Sequence, residues 1–177
     1  MERLRHLARA GPLDHAVLVE EAATALAALG DDRAGLLLSS RRLLERHGVS
    51  GPLWWLCARM LCSDDPRAEA SACIEEIEAD ETPRHLAREL PPDATVVVLG
   101  WPEVTVPALA RRGDLRVLVV EALGEAVELL RWLRQSRVDA VDVPQPGLAA
   151  AVGVADLVVL EAAAVGPEDV LAVAGST

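Results

Sequence analysis

The chain has 177 residues, 28 acidic against 17 basic, for a formal net charge of −11. That is room for one ordinary domain or two small ones. An acidic chain without a basic stripe is a poor match to direct nucleic-acid binding, which needs phosphate neutralisation. No apolar run approaches the length of a membrane span, and the first residues, MERLRHLARAGPL, lack the apolar stretch of a signal peptide. Three cysteines, an odd number without a secretion signal, point to reduced thiols and a cytoplasmic protein. Half the residues are apolar, but there is no Phe and no Tyr, so any core must be built from Ala, Leu and Val. Every basic residue is Arg; with the wealth of Ala, Gly and Val this suggests GC-rich, bacterial coding.

From the N-terminus to about residue 90 the apolar period is helical. Leu4 and Leu7 begin a short amphipathic turn that ends at Gly11-Pro12. Asp14 can cap a helix carrying Val17, Leu18, Ala22, Ala25, Leu26 and Leu29, closed by Gly30. Asp31 or Asp32 opens the next, and Ser50-Gly51-Pro52 opens LWWLCARMLC. Asp64-Asp65-Pro66 and Thr82-Pro83 are further starts with Pro in the first turn. Five or six short helices make a small N-terminal bundle, residues 1–90.

Pro91-Pro92 marks a boundary, because successive prolines favour extended chain. Beyond it, β-branched runs at Thr95–Leu99, Arg116–Val120, Ala140–Val143 and Leu157–Leu160 alternate with helical stretches at 104–112, 124–137 and 147–152. Leu157–Leu160 reads as a fully buried parallel strand, and Ala162 to Pro167 as a turn leading to a last apolar run, Val170–Val173. Alternating strand and helix predicts a parallel sheet. The fold class is α/β: a helical bundle, then a Rossmann-like domain over 93–177.

Ligands of open parallel sheets bind beyond the carboxyl ends of the strands. This selects Gly100 and Trp101 after the first strand, Glu121 after the second, and Glu161 and Ala162 after the fourth. The loop LGWPEV has one glycine where a dinucleotide fingerprint needs three. Glu121 could hold a ribose hydroxyl; the plainer reading is a solvated strand-end carboxylate. Trp101 either walls a pocket or packs. Gly175 and Ser176 would offer backbone and hydroxyl donors to a small anion. Trp54 and Trp55 point about 100° apart on a helix, so one anchors the core and the other can face a partner. Cys57 and Cys62 read as small buried hydrophobes, since no His or further Cys has metal-ligand spacing. No metal and no cofactor are expected.

The segments TVVVLGWPEVTVPALARRGDLRVLVVEAL and ADLVVLEAAAVGPEDVLAVAGS resemble the corresponding stretches of the translation initiation factor 2B alpha/beta/delta family. That family includes methylthioribose-1-phosphate isomerase and ribose-1,5-bisphosphate isomerase. The likeness covers roughly 93–176, and more loosely the layout of a helical domain before a Rossmann-like one. It implies association with a related subunit or a second copy through the α/β domain, and a phosphorylated small molecule as ligand. It also implies that the isomerases' catalytic cysteine and aspartate fall on Gly100 and Ala163, and their Asn-Lys pair on Ala172 and Val173. Neither Gly nor Ala can move a proton between sugar carbons. The expectation is therefore a non-catalytic protein, binding a partner subunit or a phosphorylated metabolite. The alternatives are a sugar-phosphate isomerase with relocated chemistry and a helical interaction module using Trp54 or Trp55. The family continues past the Gly-Thr turn, so truncation after Thr177 is the expectation, the alternative being a chain that depends on a partner to cover the open sheet edge.

Overall fold

The structure, a computed structural model, describes residues 15–122 and 124–172. They divide into two compact units, one running up to Asp80 and taking in Ala163–Leu171, the other built on Glu81–Ala162.

The helical unit contains α1 (His15–Ala27), α2 (Arg33–Arg46), α3 (Gly51–Cys62) and α4 (Pro66–Glu78). The starts follow the capping residues. The Asp32 carboxylate accepts from Gly35 N–H at 2.9 Å, Ser50 Oγ from Leu53 N–H at 3.4 Å, and Asp65 from Arg67 and Ala68 N–H at 3.1 Å. Each satisfies a backbone donor that the first helical turn leaves free. Leu18, Leu26, Leu36, Leu43, Leu53, Leu56 and Met60 form the closed core of this unit. Burying each such side chain stabilises the unit by about 1.5–3 kcal/mol. Cys57 and Cys73 are enclosed there, and burial pushes both thiols above their ordinary range. Cys62, expected among them, is exposed, because five residues along α3 turn it out of the Leu53–Met60 stripe.

The α/β unit opens with α5 (Thr82–Glu89), whose Leu86 packs on the sheet core. Then follow β1 (Thr95–Leu99), α6 (Thr105–Ala110), β2 (Arg116–Val120), α7 (Ala126–Gln135), β3 (Asp139–Val143), α8 (Leu148–Val154) and β4 (Leu157–Val158). All pairings are parallel, in the order β3-β2-β1-β4. Both faces of β1 and β2 are buried, which is why they read as unbroken apolar runs. One face packs Val96, Val98, Val117 and Val119 against Leu109, Leu129 and Leu133. The other packs Val97, Leu99, Leu118 and Val120 against Ala151, with Leu148 and Ala155 half-buried beside it. Arg112 ties α5 to the sheet, donating to the carbonyls of Ala87, Leu90 and Pro91 while it pairs with Asp114.

Two expectations at the C-terminal end are corrected. The fourth strand is not fully buried: only Leu157 and Val158 pair with β1, and Val158 and Leu160 are 41% and 47% exposed. Its neighbour on the outer side is missing among the described residues, so one face of each side chain meets solvent. The stretch expected to turn is itself a strand, β5 (Ala162–Val165), paired with β6 (Val170–Ala172) and closed by Gly166 N–H donating to Asp169 O at 2.8 Å. Alanine and glycine concealed its strand character. The Leu4–Leu7 turn, the Asp14 cap, Val173, Gly175 and Ser176 lie outside the described residues. Among those described, no helix is long and apolar enough to cross a membrane, and no group of three or more His, Cys, Asp or Glu could hold a metal ion.

Candidate functional site

The chain steps outward from β1 to β2 to β3, then returns to place β4 on the other side of β1. The carboxyl ends of β1 and β4 therefore mark the switch point at which open α/β sheets form their crevice. Gly100, Trp101 and Glu161 fall there, with Glu121 and Ala122 after β2 beside them.

The backbone amides of this region are already held by the chain's own carboxylates. Val104 stands at the cap position before helix α6 and has no side chain able to cap it. The cap comes from 57 residues further on: Glu161 Oε2 accepts from Val104 N–H at 2.9 Å, from Thr105 N–H at 3.1 Å and from Thr105 Oγ1 at 3.3 Å. An anion at the start of a helix is favoured by the free N–H groups and the local dipole. Glu125 Oε2 accepts from Trp101 N–H at 3.1 Å, and Glu121 Oε1 from Gly124 N–H at 2.6 Å.

Gly100 has φ +57°, a left-handed conformation, and donates its N–H to Val120 O at 3.1 Å. A Cβ there would stand 3.1 Å from Glu125 Oε2 and 3.4 Å from Ala122 O. The space beside this glycine is thus taken by a carboxylate. The half-buried Trp101 makes an edge-to-face contact with Trp132, ring centroids 6.4 Å apart at 65°. It packs onto the α7 side of the core.

Sequence reasoning thus places Gly100, Trp101, Glu121 and Glu161 along the carboxyl edge of the sheet. Glu125, which it did not single out, completes the set; it stands just before an apolar helix, and nothing in its spacing signals the contact with Trp101 N–H. Ala162 and Ala163 lie in β5, and neither carries a polar side chain. In the helical unit the tryptophan pair divides as its spacing requires. Trp55 packs against the core beneath the Arg59 guanidinium, 4.9 Å from its ring centroid, and Arg59 also pairs with Glu69 and Glu76. Trp54 is 52% exposed, its indole N–H donating to Gly48 O at 3.0 Å.

No protein-family model and no curated protein matches the sequence. Solved structures do. The Pyrococcus horikoshii OT3 translation initiation factor eIF-2B superposes with a TM-score of 0.73 at 13% identity, over 89% of this chain and 63% of that one. The chain has the fold of the initiation factor 2B subunits. The tetrameric eIF2B-beta2-delta2 complex from C. thermophilum matches at TM-score 0.65 and 15% identity, over 93% of this chain and 66% of that chain. The eIF2B delta of Chaetomium thermophilum matches at 0.59 and 16%, over 84% and 68%. The chain therefore spans about two thirds of the length of these structural neighbours. Within the shared fold, the switch-point crevice is lined here by Glu161, Glu125 and Glu121, each bonded to backbone.

Proposed function

We propose that this chain is a non-catalytic initiation factor 2B-like protein that acts by associating with a related subunit or a second copy of itself. The observation that carries the reading is the occupied crevice. A sugar phosphate entering between β1 and β4 would have to displace Glu161 from three donors and would meet Glu125 and Glu121 beside it. Like charges at that range disfavour an anionic ligand. The positions that the resemblance assigns to a catalytic thiol and carboxylate, Gly100 and Ala163, supply neither.

Association is supported by the opposite kind of surface at β4. Val158 stands exposed on β4, an edge strand among the described residues, and Leu160 just beyond it; Val152 and Val154 of α8, just before it, are 43% and 71% exposed. An uncovered strand edge with apolar side chains is a template for pairing. The solved tetrameric complex with this fold is an assembly of such subunits. Trp54 is a second candidate contact, being a large aromatic held in one orientation at the surface.

The test is light scattering over a concentration series, with the native chain and with Leu160→Glu. The native chain is expected to gain mass with concentration and the variant to stay monomeric. A native chain that stays monomeric throughout, and whose melting temperature rises with ribose 1-phosphate, would sink the reading in favour of a metabolite site.

A further inference from the structure

At the other edge of the sheet, α7 and β3 border an open groove of about 610 Å3 lined by Val127, Leu130, Arg131, Arg134, Gln135 and Asp142. Its chemistry departs from that of the chain as a whole, because two guanidinium groups face it in a protein of net charge −11. Arg134 is engaged: its Nε and Nη2 donate to Ala140 O at 3.2 and 3.0 Å. Arg131 is exposed and makes no hydrogen bond or ion pair among the described residues. Val127, one turn before it on α7, is 59% exposed.

Strand β3 ends the sheet, so half its backbone groups have no strand beside them. Val143 O accepts from Glu121 N–H and therefore faces β2. The alternation of a strand then turns the backbone groups of Ala140 and Asp142 outward, as the Arg134 bond to Ala140 O bears out. Arg134 closes the edge at Ala140. Asp142 N–H and C=O are left as an adjacent donor and acceptor on a residue that lines the groove together with Arg131 and Val127.

We infer that this groove takes a short extended acidic peptide, added to β3 through the backbone of Asp142. Strand addition beside a helix draws affinity from main-chain bonds and specificity from alternate side chains. Here one side chain would be apolar, lying on Val127 and Leu130, and one a carboxylate meeting Arg131. The Asp142 carboxylate repels a second acid on the strand side. Because Arg134 blocks Ala140, the pairing is limited to one residue of β3, and the complex is weak and transient rather than a permanent interface. The inference goes beyond the association proposed above, which concerns β4 at the opposite edge.

The test uses the full 15N-labelled chain, titrated with the blocked heptapeptide Ser-Val-Ser-Glu-Ser-Val-Ser, which sets Val and Glu on one face of an extended strand, and with its counterpart carrying Lys in place of Glu. Amide shifts confined to Val127, Arg131 and the β3 residues, produced by the Glu peptide and weakened about tenfold in affinity by Arg131→Glu, are the expected result. Val49→Ala, at an exposed position of the helical unit, should leave the titration unchanged. Equal shifts with both peptides, shifts elsewhere only, or none for a variant-competent folded chain would overturn the inference. A native dimer that Arg131→Glu dissociates would overturn it too, by showing that a second copy occupies the groove.

Discussion

Removing the Glu161 side chain isolates what the crevice carboxylates contribute. In Glu161→Ala the N–H groups of Val104 and Thr105 and the Thr105 hydroxyl lose their acceptor, and Thr105 is only 3% exposed. A hydrogen bond to a charged group contributes about 1.5–3 kcal/mol, and a buried donor left unsatisfied costs about 1–3 kcal/mol. The three donors share one oxygen and water reaches part of the site, so the contributions do not add, and the expected loss is about 2–4 kcal/mol. For a chain of this size that lowers the melting temperature by roughly 5–15 °C. Glu161→Gln keeps an acceptor of the same shape without its charge, and is expected to lose about 1 kcal/mol. Because the chain has two units, urea unfolding should be followed together with hydrogen exchange at individual amides, which reports on this helix start alone. Val104 and Thr105 amides should exchange faster in Glu161→Ala while those of α1 to α4 keep their protection. The reasoning fails if Glu161→Ala unfolds within about 0.5 kcal/mol of the native chain and the two amides remain protected.

Asp114 accepts from Arg112 and from Asp93 N–H, and the guanidinium beside it holds its carboxyl well below the ordinary value near 3.8. A depressed folded value contributes stability that is present above the unfolded carboxylate's pKa and is lost as pH falls below it. Unfolding followed by circular dichroism from neutral pH down to pH 2 should therefore show an acid limb that Asp114→Asn flattens; an unchanged limb would remove this pair from the account. A Cβ at Gly51 would collide with the carbonyl of Ala163, so Gly51→Ala, which helix propensity alone would favour, is expected to destabilise by about 1–3 kcal/mol in urea unfolding. A stabilised variant would mean that β5 yields freely. Buried Cys57 and Cys73 should stay unreactive to a thiol-specific disulfide reagent until unfolding, while exposed Cys62 reacts at once. Prompt titration of three thiols would show that the helical core opens readily.

What the sequence determined by itself is local in origin. Asp32, Ser50 and Asp65 marked helix starts because a capping side chain acts within three residues of itself. The runs at Thr95–Leu99 and Arg116–Val120 marked strands because β-branched and apolar side chains in succession suit a pleated surface covered by its neighbours. The alternation of these elements gave the parallel sheet, and with it the strand ends where Gly100, Glu121 and Glu161 stand. Tertiary structure alone decided what those residues do. Glu161 caps a helix 57 residues before it once β4 lies against β1, and Glu125 fills the space beside Gly100 once β2 lies against β1; no period or spacing encodes such contacts. The same holds for the open edge at β4 and the strand at Ala162–Val165. Composition records how apolar a segment is, whereas its neighbours decide which of its faces are covered.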